Sequence, residues 1–408
     1  ANPGDVCVGT CSASSTNVLK TLKLGDIVYS TPRISPNSAV NGYDVTYSDT
    51  SYKNWINGKI KGSCTTNADC PGISDKTWAS NQTCSATSVC TNDGYTPIVI
   101  VGANDGMAHA FKVSKIKDIS PAEDNCYGDA SCNDKGAVTD GSQTARFADK
   151  PNSTKNSDTG TGSDTAPPAY LGKELWSYIP YNAVPYLRWY CSESYCHIPM
   201  LDARFTVIDA SIDYDKDGVI EPETGAGAES RLSTDNRCDT GASPTSPCPN
   251  YPWRRLLVGA MGAGGKQITV GSNTFSSSIF VLDITDPTSP VLLWERPLPD
   301  GTLTTSTPAI IRLVNSTGTD QTDKNGKWYV VIGSGPTSIT TNTVNYKSSN
   351  AKIFVFDLRT GENMTKGADN TDMTSDDGLD IGASGVAVGD MMAVDMDSDY
   401  QVDDIYFG

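Results

Sequence analysis

Short, almost wholly apolar runs punctuated by Gly, Asp and Pro recur along this chain, and helical periodicity is scarce. Ile98-Val99-Ile100-Val101-Gly102 leads to Met107-Ala108-His109-Ala110-Phe111, and then to Lys173-Glu174-Leu175-Trp176-Ser177-Tyr178-Ile179-Pro180. The order returns in Arg255-Leu256-Leu257-Val258-Gly259, Ile279-Phe280-Val281-Leu282-Asp283 and Val291-Leu292-Leu293-Trp294-Glu295. It begins again in Trp328-Tyr329-Val330-Val331-Ile332-Gly333 and Ile353-Phe354-Val355-Phe356-Asp357-Leu358, with Thr360-Gly361 turning after it. Leading runs, Phe205-Thr206-Val207-Ile208 and Pro308-Ala309-Ile310-Ile311-Arg312-Leu313, precede the second and third units. β-branched and aromatic residues between turn formers predict buried strands. Four short strands per unit, repeated, predict an all-β protein built as a β-propeller, with a face-packed sandwich as the rival. Asp390 to Phe407 reads as the first two strands of a further unit, so the chain is expected to hold about three and a half blades.

Long polar insertions interrupt the pattern at about 37–94, 114–168 and 224–252, and residues 1–23 form an N-terminal extension. Loops this long are functional or disordered. They carry most of the 12 cysteines, which fall as sequence neighbours: Cys7 and Cys11, Cys64 and Cys70, Cys84 and Cys90, Cys126 and Cys132, Cys191 and Cys196, Cys238 and Cys248. An even count in polar loops predicts disulfides made in an oxidising compartment, mostly between neighbours, with the pairing inside 64–90 open. Zinc would want short Cys pairs near His, but only His109 and His197 occur. No C-x-x-C-H is present either, which removes c-type haem.

Charge narrows the partners. A formal net charge of −17 disfavours nucleic acid, whose phosphates need clustered Lys and Arg, and favours divalent cations. No apolar run approaches the roughly 18 residues of a membrane span. No signal peptide is visible, so Ala1 reads as a processed or cut N-terminus.

The most informative chemistry lies in Asp395-Met396-Asp397-Ser398-Asp399-Tyr400-Gln401-Val402-Asp403-Asp404. Carboxylates at alternating places let side chains and one backbone carbonyl wrap a hard cation in oxygen ligands, which predicts calcium. A second candidate set is Asp213, Asp215, Asp217, Val219 and Glu221, with Gly218 where such a loop must turn sharply. Thr224 stands there at the twelfth place, where an EF-hand has its bidentate Glu. Catalytic motifs are lacking: no G-x-S-x-G occurs, and the glycines from Gly259 to Gly265 are not followed by Gly-Lys-Ser/Thr. His109, in mid-strand, reads as a satisfied structural histidine. The chain is therefore expected not to be an enzyme.

Several of these segments resemble one family. Leu24-Gly25-Asp26-Ile27-Val28-Tyr29-Ser30-Thr31-Pro32 looks like the opening strand of the C-terminal propeller of PilY-type proteins. These are type IV pilus tip-associated biogenesis factors and adhesins, related to the neisserial PilC pilus-tip adhesins. Val101-Gly102-Ala103-Asn104-Asp105-Gly106-Met107-Ala108-His109-Ala110-Phe111 is similar to that family's most recognisable segment. So are Trp253 to Gly259 with Gly262 to Gly265, the Asp283 and Trp294 unit, and the Asp395 loop followed by Asp404-Ile405-Tyr406.

The resemblance implies a modified seven-bladed propeller, secreted through the periplasm to the pilus tip. There it would promote pilus extension against retraction, twitching, and adhesion to host or abiotic surfaces, seated on minor pilins. Family calcium ligands carry over as Asp395, Asp397, Asp399, the Gln401 carbonyl and Asp403. The family's large N-terminal region and the later blades are missing from the chain. The expectation is that a segment of the same precursor, or a partner chain, completes the propeller. Gly172-Lys173-Glu174-Leu175-Trp176 and Phe356 to Gly361 also resemble the Trp-containing blade repeat of quinoprotein dehydrogenases. That repeat is structural, and it leaves a periplasmic calcium-dependent dehydrogenase propeller as the alternative.

Overall fold

The computed structural model describes residues 5–6, 20–21, 24–60, 95–113, 116–118, 145–147, 172–191, 198–212, 253–313, 327–339, 343–346, 350–367 and 377–408. Most of their regular structure is antiparallel β-sheet. Three sheets have four strands in sequence order. The first is Arg33–Ser35, Ile98–Gly102, Ala108–Lys112 and Glu174–Tyr178. The second is Thr206–Ser211, Trp253–Ala260, Ser278–Asp283 and Val291–Pro297. The third is Ala309–Leu313, Lys327–Gly333, Asn350–Asp357 and Leu379–Ser384. A fourth, two-stranded sheet pairs Met391–Val394 with Asp404–Phe407. The repeated apolar runs thus fall on strands in the order expected of them.

Strand alternation decides how the sheets stack, because successive side chains point to opposite faces. Leu257 faces the first sheet, in a cluster with Ile98, Ile100, Ala108, Ala110, Phe280 and Leu282. Its neighbours Leu256 and Val258 turn the other way, toward Val330, Ile332, Phe354 and Phe356 of the third sheet. Val331, with Ala309 and Ile311 of its own sheet, faces the fourth, where it meets Met391, Ala393 and Ile405. A fully buried aliphatic or aromatic side chain is worth about 1.5–3 kcal/mol. The second and third sheets, apolar on both faces, are therefore held from both sides.

Two tryptophans join neighbouring sheets by the same contact. Trp176, on the last strand of the first sheet, donates its indole N–H to the Pro287 carbonyl at 2.9 Å. Trp294, on the last strand of the second, donates to the Leu358 carbonyl at 2.8 Å. Each receiving carbonyl lies just beyond the third strand of the next sheet. The ladder slips at the same place in both sheets, between Ala110 and Phe111 beside Trp176, and between Val281 and Leu282 beside Trp294. Such bulges increase local twist and re-aim a side chain. Gly361 turns with φ +67° under the Trp294 ring, and a Cβ there would come within 2.5 Å of it.

Three features depart from the sequence reading. Residues 24–32, expected as the opening strand, are not a strand; the first four-stranded sheet begins at Arg33–Ser35. Their backbone is taken up by loops instead. Gly25 N–H bonds Asp105 Oδ2 at 2.8 Å, and the Asp26 carbonyl accepts from Asn104 N–H at 3.0 Å. Tyr29 N–H reaches Asp202 Oδ1 at 3.2 Å.

The insertion expected at 37–94 opens with two short helices, Tyr43–Thr46 and Thr50–Trp55, and a π-helical turn, Ile56–Ile60. Asp49 caps the second by accepting from Tyr52 N–H at 3.0 Å. Tyr52, Trp55, Ile56 and Ile60 are buried in the same cluster as Trp253, Trp328 and Tyr400, so this arm is core rather than decoration. Tyr95 returns the chain to its base, its N–H bonding the Ile60 carbonyl at 2.8 Å. A 3-10 helix, Tyr181–Cys191, was not foreseen; Glu295 accepts from the N–H groups of Tyr181 and Asn182 at its start. The side chains of all twelve cysteines lie outside the described residues.

Candidate metal centre

The Asp395 loop is the hairpin connection of the fourth sheet, between Met391–Val394 and Asp404–Phe407. Ser398 and Tyr400 take left-handed backbone, φ 60° and 75°, which is uncommon for side-chain-bearing residues and curls the loop onto itself. Carboxylate oxygens of Asp395, Asp397 and Asp403 all lie within 4.8 Å of one another. Two oxygens that share one calcium, each at about 2.4 Å, can be at most about 4.8 Å apart, so the trio meets the geometric bound. The donor set is all oxygen, which suits a hard cation. Asp399 stands differently. Its two oxygens accept from the N–H and the side-chain amide of Gln401, both at 2.8 Å. The Asp213 set lies outside the described residues.

The loop is tied at several points. Met396 N–H bonds Asp403 Oδ2 at 2.7 Å, and Tyr400 N–H bonds Asp395 Oδ2 at 3.0 Å. Asp399 N–H points at both Asp395 and Asp397, at 3.3 and 3.1 Å. Arg312 of the third sheet donates to the Tyr400 carbonyl at 2.8 Å, and its guanidinium sits 4.0 Å from the Tyr400 ring centroid. Val402 N–H bonds the Arg312 carbonyl at 3.0 Å. Tyr47, from the helical arm, stacks on Tyr400 with centroids 4.0 Å apart and planes 14° from parallel. Its hydroxyl lies against the Asp395 carboxylate, and burial together with that neighbouring carboxylate pushes the Tyr47 phenol up to about 12.

Two other charged clusters hold the fold together. Arg255 and Asp209 form a fully buried pair, Nε to Oδ1 at 2.8 Å and Nη2 to Oδ2 at 3.0 Å. Arg255 also donates to the Ser38 carbonyl at 2.8 Å and to the Pro36 carbonyl, and lies over the Tyr95 ring. Asp209 accepts from the Tyr52 hydroxyl at 2.8 Å. Burial opposes charge on Arg255, but the Asp209 carboxylate more than offsets it and raises the guanidinium pKa. Sequence reasoning missed this pair. The available signal was one acid and one base inside otherwise apolar runs.

His109 is held between Asp105 Oδ2, at 2.9 Å from Nε2, and Glu174 Oε1, at 2.6 Å from Nδ1. Burial disfavours its charge, yet the two carboxylates win and raise its pKa. Both ring nitrogens are occupied, so His109 is a structural clamp. The glycines after Gly259 mark a close approach: a Cβ on Gly264 would come within 2.0 Å of the Met200 carbonyl.

No family model matches the chain. A type IV pilus biogenesis factor PilY1 homolog of Xylella fastidiosa is 27% identical over 196 residues, covering 47% of this chain and 11% of that protein. The type IV pilus biogenesis factor PilY1 of Pseudomonas aeruginosa is 32% identical over 112 residues, covering 27% of this chain and 7% of its own length. The matched region therefore spans only about a tenth of these curated relatives. The crystal structure of the Pseudomonas aeruginosa PilY1 C-terminal domain aligns with 78% of this chain and 37% of its own, at 21% identity and a TM-score of 0.36. The chain is similar to PilY-type pilus factors, the family its motifs resemble. Among the described residues, no helix is long and apolar enough to cross a membrane.

Proposed function

We propose that this chain is a calcium-binding part of a type IV pilus biogenesis factor acting at the pilus tip, outside the cell. Its stacked sheets are blades of a modified β-propeller, and its cysteine pairs are disulfides that pin the insertions. Calcium is held by Asp395, Asp397 and Asp403, with Asp399 and the Gln401 carbonyl joining as the loop closes on the ion. The convergence of three carboxylate oxygens in one hairpin connection carries this reading. Similarity to relatives named as type IV pilus biogenesis factors supports the pilus role. Tyr406 and Phe407 lie half-exposed on the Asp404–Phe407 edge strand, which suits strand addition by a further segment or by a pilus component such as a minor pilin. In that setting the protein promotes pilus extension against retraction, twitching, and adhesion to a host or abiotic surface.

The test is calorimetry with calcium on the wild type and on Asp395→Ala and Asp403→Ala, followed by twitching assays of strains carrying each variant. Loss of the calcium isotherm together with loss of twitching is the expected result. Unchanged isotherms in both variants would overturn the site. A visible spectrum gained with added quinone cofactor would point to a dehydrogenase instead.

A further inference from the structure

The helical arm and the Asp395 loop are about 350 residues apart in sequence and touch through the rings of Tyr47 and Tyr400. We propose that Tyr47 is a positioning residue for Asp395 and that the arm, Tyr43–Trp55, senses the loop: cation capture and seating of the arm are one coupled event. The proposal rests on the calcium reading above and adds its transmission.

The contact is built from both sides. On the loop side, Tyr400 presents its ring to Tyr47 at 4.0 Å and to Tyr43 at 5.3 Å, while Arg312 backs it from the other sheet. The left-handed backbone at Tyr400 aims this side chain inward, where it is 9% exposed, while its own N–H bonds Asp395. One residue therefore joins the carboxylate cluster to the aromatic core. On the arm side, the Tyr47 hydroxyl lies against the carboxylate of Asp395, one of the three that converge. Partners of this kind orient a ligating carboxylate, and removing one typically costs about 10–100-fold in metal affinity.

The arm then carries the effect onward. Tyr43 packs against Trp253 and Trp328, each at 5.7 Å, so it bridges the second and third sheets. Tyr52 ends on the buried Asp209, and Ile60 meets Tyr95, closing the base of the segment that holds Cys64, Cys70, Cys84 and Cys90. An ion that fixes Asp395 thus favours the arrangement in which Tyr47 is docked, and the base of that cysteine-bearing segment is restrained with it. Linkage requires reciprocity. The factor by which the docked arm raises calcium affinity is the factor by which calcium raises docking.

Two measurements on the full chain, purified without reductant, test this. Terbium, which occupies calcium sites and luminesces when a nearby tyrosine is excited, is titrated into the wild type, Tyr47→Phe and Asp395→Ala. Tyr47→Phe keeps the ring and loses only the hydroxyl. It should weaken terbium and calcium binding about tenfold or more, with metal-free thermal stability nearly unchanged. A purely structural tyrosine would give the reverse. Hydrogen exchange is then followed over Tyr43–Ile60 with calcium and with chelator. At a calcium concentration 100 times Kd, amides that exchange by opening of the arm should slow by up to about a hundredfold.

Calcium binding with unaltered exchange over Tyr43–Ile60, or unaltered affinity in Tyr47→Phe, would overturn the coupling and leave the calcium site standing. No binding to the wild type would overturn both.

Discussion

The helical arm is fastened at two ends, and the two ends treat carboxylates in opposite ways. At one end Asp209 is fully buried and answered by the Arg255 guanidinium, the Tyr52 hydroxyl and the backbone of Val40, so its charge is neutralised within the fold. At the other end Asp395, Asp397 and Asp403 lie at or near the surface and accept from backbone amides, with Tyr47 against Asp395. A buried charge must bring its own counter-charge. Exposed charges can leave that role to an ion from solution. On the proposed calcium reading, the first fastening is permanent and the second conditional on the ion.

The largest break should come from the permanent end. Arg255→Met leaves Asp209 buried without its partner, and should cost about 3–5 kcal/mol in denaturant unfolding, or prevent folding. A loss below about 1 kcal/mol would mean that water reaches Asp209 and the end is not sealed. Tyr52→Phe removes one hydrogen bond to that carboxylate and keeps the ring. The expected loss is about 1.5–3 kcal/mol, the range for bonds to charged groups.

Asp397→Asn should have the opposite sign at the conditional end. Without calcium it relieves repulsion among neighbouring carboxylates and should leave stability unchanged or higher by up to about 1 kcal/mol, while calcium affinity falls. Destabilisation of the metal-free protein would show that the loop resembles the Asp209 end after all.

The smallest effect sharpens the comparison with a third carboxylate setting. His109 between Asp105 and Glu174 has a raised pKa, so its contribution is full below the unfolded value of about 6.5 and is lost as pH rises through the folded value. Asp105, whose own burial is outweighed by its bonds to His109 and to backbone amides, has a lowered pKa. Its contribution is lost as pH falls below the ordinary carboxylate range and through the folded value. Wild-type stability should therefore decline relative to His109→Gln as pH is raised above neutrality. Parallel pH profiles for the two proteins would show that the clamp adds nothing.

Much of the sheet scaffold was legible because its strands are buried on both faces and so read as unbroken apolar runs. Leu379–Ser384, the outer strand of the third sheet, was not legible: it is mostly exposed and contains Gly382, so it lacks both burial and β-propensity. The arm was hidden for another reason. Tyr43 and Tyr47, and Tyr52 and Trp55, sit at helical spacings, but in two separate helices each too short to establish a period and next to a long polar insertion. The Asp395 loop was visible as a spacing. That Asp399 turns to Gln401 two residues on is a choice of rotamer within the loop that the spacing does not show, and the approach of Tyr47 from another part of the chain depends on tertiary contact and leaves no local mark.

The tryptophan joints bear on how such a chain can drift. Trp176 and Trp294 each dock onto a main-chain carbonyl, at Pro287 and Leu358. A carbonyl is the same whatever side chain its residue bears, so the receiving turn is free to change its sequence without loosening the joint. The constraint that remains is room for the indole, which at the second joint is met by Gly361. Adjacent units can then diverge almost independently of one another. An architecture of this kind keeps its assembly rules through substitutions that erase most of the sequence likeness between its members.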